Sequence, residues 1–388
     1  MFEFSALPPL SLYVHLPWCV RKCPYCDFNS HATRDPISER EYVDALIADL
    51  DQDHKRVWNR PVHTVFLGGG TPSLFTPEAV DRLLAALRAR LPILADAEIT
   101  LEANPGTVEQ DRFRGYREAG VNRLSIGIQS FDDAKLRALG RIHGRAESLR
   151  AAEAARGAGF DNFNFDLMYG LPQQSVDEAL GDLGTAMALH PAHLSLYQLT
   201  LEPNTLFHAQ PPALPDEDAL WEMQRKLELL LTSGGYHHYE VSAHARDGRR
   251  CRHNLNYWRF GDYLGIGAGA HAKISDAEGI TRLWKLRQPA EYLAKAAGPA
   301  VIGGERRLTP AEAGFEFMLN ALRLTDGFET GLFHQRTGLP LDSVEPALER
   351  AAGKGLIERT AEHVRPTETG RRFLNDLQAL FLPEERGN

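Results

Sequence analysis

Six short runs rich in β-branched, aromatic and aliphatic residues recur along the first half of the chain, each separated from the next by a stretch long enough to cross back over a sheet. They read "SLYVHLP" (11–17), "TVFLGGG" (64–70), "EITLEANP" (98–105), "RLSIGIQS" (123–130), "NFNFDLMYG" (162–170) and "HLSLYQLTLE" (193–202). Between them lie segments with the apolar period of a helix, "EYVDALIADLDQDHK" and "PEAVDRLLAALRARL" among them. Strands that alternate with helices need crossover connections, which give a parallel sheet. Six units fall short of the eight of a complete (β/α) barrel. The expected fold is therefore α/β, built on a partial, open barrel of six units.

Polar residues and glycines cluster just after these runs: Gly68 to Thr71, Glu102 to Pro105, Gln129 and Asp166. In parallel α/β architectures the carboxyl ends of strands are where sites are built. Each cluster alone could be an ordinary turn, but their recurrence in unit after unit favours one shared site.

The rhythm changes near residue 211. "QPPALPDEDALWEMQRKLELLLTSGGYHHYEV" opens as a proline-rich linker and continues as an amphipathic helix closed by Gly234 and Gly235; the glycine-rich "GDYLGIGAGAHAKI" follows. From about residue 305, "TPAEAGFEFMLNALRL" and "LDSVEPALERAAGKGL" read as helices, and "LIERTAEHVRPT" as a strand pair before a last helix. The organisation expected is a barrel over 1–210, a linker and extension over 211–304, and a C-terminal α+β module over 305–388 that resembles a winged helix. Winged helices often bind DNA, but 43 basic against 52 acidic residues, a net charge of −9, weigh against nucleic acid as the main partner. The module reads better as a lid or docking surface.

An apolar content of 43% with 24% charged residues is that of an ordinary soluble globular protein, and no apolar run approaches the length of a membrane span. Glu3 and the lack of a basic residue before the first apolar stretch make a poor signal peptide. Four cysteines in a chain of this length fit a reducing compartment, and a cytoplasmic protein is expected.

Three of those four cysteines stand in "WCVRKCPYCDF" (18–28), at the spacing C-x3-C-x2-C. A disulfide would leave one thiol over, and a redox C-x2-C pair has no use for a third cysteine. Zinc would need a fourth donor such as His15 or His31. Three thiolates at Cys19, Cys23 and Cys26 would leave one iron of a [4Fe–4S] cluster open to an outside ligand. Spacing alone leaves zinc and cluster both standing. The position adds something: this loop follows the first strand and "GGGT" (68–71) follows the second, where consecutive glycines let backbone approach a ligand closely.

"HLPWCVRKCPYCDFNSH", together with "GGGTPS", "LEANPG", "SIGIQS" and "LGRIH", resembles the radical S-adenosylmethionine (SAM) superfamily, and within it the branch of the oxygen-independent coproporphyrinogen oxidases and the heme chaperones. The likeness runs from about Leu12 into the C-terminal module. It implies that Cys19, Cys23 and Cys26 hold the cluster and that SAM chelates the fourth iron through its amino and carboxylate groups. By the same resemblance Tyr13, Gly69, Gly70, Thr71, Glu102, Gln129, Arg141 and Asp166 line the cofactor. Carboxylates suit ribose hydroxyls and a sulfonium, and an arginine suits a carboxylate. Tyr25 matches an aromatic position that in the oxidases touches a second cofactor molecule.

Three features separate the two members of this branch. The oxidases extend the motif to C-x3-C-x2-C-x-C, whereas residue 28 here is Phe28. They also carry a long N-terminal arm, and barely ten residues precede the first strand of this chain. Finally, "CRHNLNYW" (251–258) contains H-N-x-x-Y-W, a motif resembling that of the heme chaperones. It implies heme binding by His253, Asn254, Tyr257 and Trp258, with an axial imidazole and flat apolar surface. From composition alone the same residues fit a buried aromatic corner around a hydrogen-bonded histidine, and Cys251 is either a further heme ligand or simply buried. The expectation is a chaperone that passes heme to acceptor proteins, membrane-bound respiratory enzymes among them, with an electron donor as a further partner if SAM is cleaved. The alternative is oxidative decarboxylation of coproporphyrinogen III.

Overall fold

The computed structural model describes residues 2–33, 36–57, 59–107 and 110–383. The six expected strands all form: β1 (Leu10–Leu16), β2 (Val62–Gly69), β3 (Ile93–Ala103), β4 (Arg123–Gln129), β5 (Phe163–Tyr169) and β6 (His193–Gln198). They pair in sequence order and every pairing is parallel. The intervening helices include α1 (Glu39–Asp53), α2 (Pro77–Arg90), α3 (Gln110–Ala119), α4 (Arg145–Gly157) and α5 (Val176–Ala188). Their sequences fix where they start. Thr76 accepts the Ala79 N–H ahead of Pro77 at the opening of α2, and Ser175 and Glu178 form a reciprocal capping box on α5. The apolar stripe of α2, Val80, Leu83, Leu84 and Leu87, then lies on the sheet.

The sheet continues past these six strands on both sides. After helix α6 (Glu217–Ser233) come β7 (His237–Glu240) and β8 (Ala243–Ala245), which add antiparallel strands beyond β6. Helix α7 (Arg252–Trp258) then leads to β9 (Asp262–Ile266), which pairs parallel with β1 as a seventh parallel strand. Strands β10 (His271–Asp276), β11 (Gly279–Lys285) and β12 (Ile302–Arg307) extend that edge antiparallel. The sheet therefore has the order β12-β11-β10-β9-β1-β2-β3-β4-β5-β6-β8-β7. The stretch expected as linker and extension is thus woven into both edges of the barrel sheet.

Glycines hide β9 from a reading by periodicity. A Cβ on Gly265 would lie 2.0 Å from the His271 carbonyl oxygen, and Gly267, at φ +106°, would meet the His15 carbonyl at 2.4 Å. Close backbone approach joins side-chain packing, from Leu264, Ile266 and Leu283, in building this edge.

The C-terminal module holds α9 (Pro310–Ala321), α10 (Thr330–Thr337) and α11 (Glu345–Gly353), with the short helix Pro289–Lys295 standing before it as α8. Its three-stranded sheet sets β13 (Phe328–Glu329) beside the hairpin of β14 (Ile357–Arg359) and β15 (His363–Pro366). Three helices with this hairpin match the winged-helix arrangement. The module has its own core around Phe317, Phe333 and Leu348, which also takes in Phe260 and Ile280 from the sheet side. Among the described residues no helix is long and apolar enough to cross a membrane.

Candidate functional site

The cysteine loop leaves the carboxyl end of β1. It is closed at its base by the parallel pairing of Trp18–Cys19 with His31–Ala32. The Gly70 and Thr71 N–H groups donate to the carbonyls of Leu16 and Trp18, binding the loop to the end of β2. All three cysteines are unpaired thiols of intermediate exposure. Each has a polar neighbour: the Thr71 hydroxyl donates to Cys19 Sγ at 3.5 Å, Arg141 donates to Cys23 Sγ at 3.7 Å, and the Ser30 hydroxyl lies 3.6 Å from Cys26 Sγ. The thiols face a cavity of about 360 Å³ walled by the ends of β2 to β6.

These donors suit a cluster better than a single ion. Among the described residues no three His, Cys, Asp or Glu side chains converge closely enough to hold one metal. Zinc needs its donors about one point. A cluster takes each thiolate on a different iron, and hydrogen bonds to the sulfurs are part of how proteins tune such centres.

Eight of the other expected residues line the same cavity: Tyr25, Gly70, Thr71, Gln129, Arg141 and Asp166, with Gly69 and Glu102 at a shared wall described below. Gly69 has φ +117° and a Cβ there would stand 2.5 Å from the His15 ring, so only glycine fits. Its N–H donates to Glu102 Oε2 at 3.0 Å. Burial, then the charge of Asp166, pushes the Glu102 carboxyl up to about 7 against that hydrogen bond. Asp166 accepts from Ser125 and Asn164, and burial raises its pKa too. Gln129 ends β4 at φ +68°, a left-handed conformation that a non-glycine residue adopts at a cost and that is frequent at functional sites.

Arg141 donates to Asn104 Oδ1 at 2.6 Å and to the Gly127 carbonyl at 2.7 Å, while its buried Nε has no hydrogen-bond partner among the described residues. Two buried carboxyls and an under-used guanidinium around an enclosed space fit a ligand with hydroxyls, a cation and a carboxylate. SAM has that chemistry.

Sequence reasoning passed over Asn104, although it stands in the quoted "LEANPG". Its amide donates to Thr71 Oγ1 at 2.9 Å while its carbonyl accepts from Arg141, so it joins the neighbours of Cys19 and Cys23. An asparagine two residues past a strand-end glutamate was the available signal.

Tyr13 falls elsewhere. It lines a second cavity of about 750 Å³, with His15, Phe28, Tyr257, Tyr263, His271, Trp284 and Arg287. Gly69, Glu102 and Phe28 border both cavities. The second cavity opens between the β1 end and the added strands β9 to β11, which periodicity had not recognised.

Of the H-N-x-x-Y-W residues, Tyr257 alone lines either of these two cavities. His253 is 1% exposed; its Nδ1 lies 2.7 Å from Thr64 Oγ1 and its Nε2 lies 3.2 Å from Tyr257 Oη. Its ring stacks on Phe66, and burial, with Arg123 nearby, pushes its pKa down to about 3. Trp258 carries the Arg323 guanidinium over its ring at 4.2 Å, and Asn254 lies on the same short helix, half-buried. Cys251 is fully buried with its Sγ 3.5 Å from Glu98. The surroundings of His253 are those of the aromatic corner that composition alone suggested.

Comparison with known proteins places these sites in context. A model of the radical SAM superfamily matches residues 13–183, and one of the HemN C-terminal domain matches 308–373. The heme chaperone HemW of Escherichia coli is 52% identical over 97% of this chain and 99% of its own length. That of Bacillus subtilis is 32% identical over 96% and 99%. Among solved structures, the coproporphyrinogen III oxidase HemN of Escherichia coli, a radical SAM enzyme, superposes with a TM-score of 0.82 at 25% identity, covering 97% of this chain and 90% of that one.

Proposed function

The chain belongs to the HemW family of the radical SAM superfamily, and from that membership we propose that it is a heme chaperone, binding heme and passing it to acceptor proteins such as membrane-bound respiratory enzymes. The observation that carries this reading is similarity to HemW proteins along nearly the whole chain, barrel, added strands and C-terminal module alike.

Membership of the superfamily implies a [4Fe–4S] cluster and SAM. We assign Cys19, Cys23 and Cys26 as cluster ligands, and Gly69, Gly70, Thr71, Glu102, Gln129, Arg141 and Asp166 as the wall that receives SAM, with Tyr25 at its edge. With both groups held there, the site would offer one-electron reducing chemistry at the sulfonium, the electron coming from a separate donor. The protein's own part is positional. Thr71 and Arg141 donate to the sulfurs, Asn104 holds both donors in place, and Glu102 and Asp166 offer buried acceptors.

The shared fold with the oxidase keeps one rival in view. The observation against it is Phe28, an exposed apolar ring where the oxidases place a further cysteine. The test presents heme and coproporphyrinogen III separately to anaerobically reconstituted protein with SAM and reductant. Heme is expected to bind with a defined Soret band, and no protoporphyrinogen IX is expected. Formation of protoporphyrinogen IX would transfer the assignment to the oxidase activity.

A further inference from the structure

The second cavity has no role in the chemistry assigned so far, yet it is the larger of the two at about 750 Å³. That size lies within the roughly 300–1,000 Å³ typical of ligand pockets. Its walls are aromatic: Tyr257 and Tyr263 meet edge to face at 4.5 Å, Trp284 closes another side, and Phe28 stands 61% exposed at the boundary with the cysteine cavity. Arg287 adds a cation. Flat apolar walls with a positive charge match a planar macrocycle that carries carboxylates.

An iron in such a macrocycle asks for an imidazole with a free nitrogen. His15 lines the cavity, but its Nδ1 is engaged by Tyr13 Oη at 3.0 Å and its Nε2 by the Asn29 carbonyl at 2.9 Å. His253 is outside the cavity with both nitrogens bonded, as described above. His271 differs from both. It opens β10, is exposed, and has no hydrogen bond to either ring nitrogen among the described residues. Its cross-strand neighbour is Trp284, whose ring is stacked at 6.3 Å and 26°.

We propose that heme is held in this second cavity, with His271 as the side chain that ligates its iron, Tyr257, Trp284 and Phe28 packing against the porphyrin, and Arg287 meeting a propionate. The proposal rests on the heme-chaperone reading and moves the ligand away from the H-N-x-x-Y-W histidine. Tyr257 becomes the one member of that motif in contact with heme. His253 positions it from behind, through the contact to Tyr257 Oη. Partial burial and the charges of Arg282 and Arg287 lower the His271 pKa, which favours the neutral ring that binds iron.

The test titrates ferric protoporphyrin IX, and separately the metal-free porphyrin, into the purified full chain. The wild-type protein is expected to give the Soret band of a histidine-ligated heme. His271→Ala should shift or weaken it, with added imidazole restoring it, while binding of the metal-free porphyrin persists. Trp284→Ala and Phe28→Ala should each weaken metal-free porphyrin binding by about tenfold, the scale of one aromatic contact. A wild-type Soret band in His271→Ala overturns the ligand assignment, and unaltered porphyrin affinity in both aromatic variants overturns the cavity. Failure of the wild-type protein to bind heme at all would instead remove the chaperone reading on which the proposal rests.

Discussion

Glu102 sits where the two cavities meet, and its carboxyl is pushed up to about 7 because burial and Asp166 outweigh one hydrogen bond from Gly69. Its native pKa lies above the ordinary 4.5, so the folded, cofactor-free protein binds this proton more tightly than the unfolded chain does. The resulting stability is full below 4.5 and is lost as pH rises toward 7, which denaturant titrations across that window should show. In the proposed SAM site a ribose hydroxyl would donate to the ionised form, so SAM affinity is expected to rise over the same interval, and Glu102→Gln should flatten both profiles. At the loop, Cys19→Ala, Cys23→Ala or Cys26→Ala should abolish the cluster's visible absorption after anaerobic reconstitution, and Cys251→Ala should retain it, since that thiol is buried against Glu98. A Cys23→Ala variant that kept its iron would refute the ligand set. The three cysteines stand out in the sequence as a metal-binding loop by their spacing, but that spacing leaves zinc and cluster both open, and only the family resemblance points to the cluster. His271 does not stand out, since a lone histidine in a glycine-rich stretch has no pattern to announce it. His253 had a pattern, but a seven-residue helix does not reveal which of its faces will be buried.

Between elements, the decisive contact is Lys285 on β11, whose ammonium lies 2.5 Å from both Asp49 and Asp53 of α1, all three buried. Asp49 also accepts from the Gly267 N–H and the Tyr292 hydroxyl, so one carboxylate ties α1, β11, α8 and the end of β9 together. Lys285→Met would strand two buried carboxylates, and a loss of about 3–5 kcal/mol is expected in urea unfolding, the usual scale for breaking a buried pair from one side. A loss below 1 kcal/mol would mean that water reaches the cluster and relieves the charge. This joint explains the unequal legibility of the sheet. Strands β1 to β6 declare themselves by apolar runs buried between the outer helices and the barrel interior. The edge built by β9 to β12 relies on glycine approach and a buried ion triad between residues more than 200 positions apart, which no local window contains.

Over the whole molecule, the barrel and the C-terminal module share a core rather than merely touching. Phe317 packs edge to face against Phe260, Phe328 and Phe333, and Phe260 comes from the turn before β9. Phe317→Ala is expected to cost about 3–5 kcal/mol. The loss should appear in the main denaturant transition, because the affected core spans both parts; an early transition confined to the module would show them to be separable. A longer reach belongs to Asn29. Its side-chain amide donates at 2.9 Å to the carbonyls of Ala268 and Arg287, so the loop that carries the cysteines is laced to the two turns that carry His271 and Arg287. Thermodynamics then imposes a reciprocity: whatever factor iron loading of the loop changes heme affinity by, heme must change iron retention by the same factor. Chelator challenge with and without heme, beside heme titration of loaded and iron-free protein, should return equal factors. Asn29→Ala should bring both toward one, leaving a carrier whose grip on its cargo no longer registers the state of its iron.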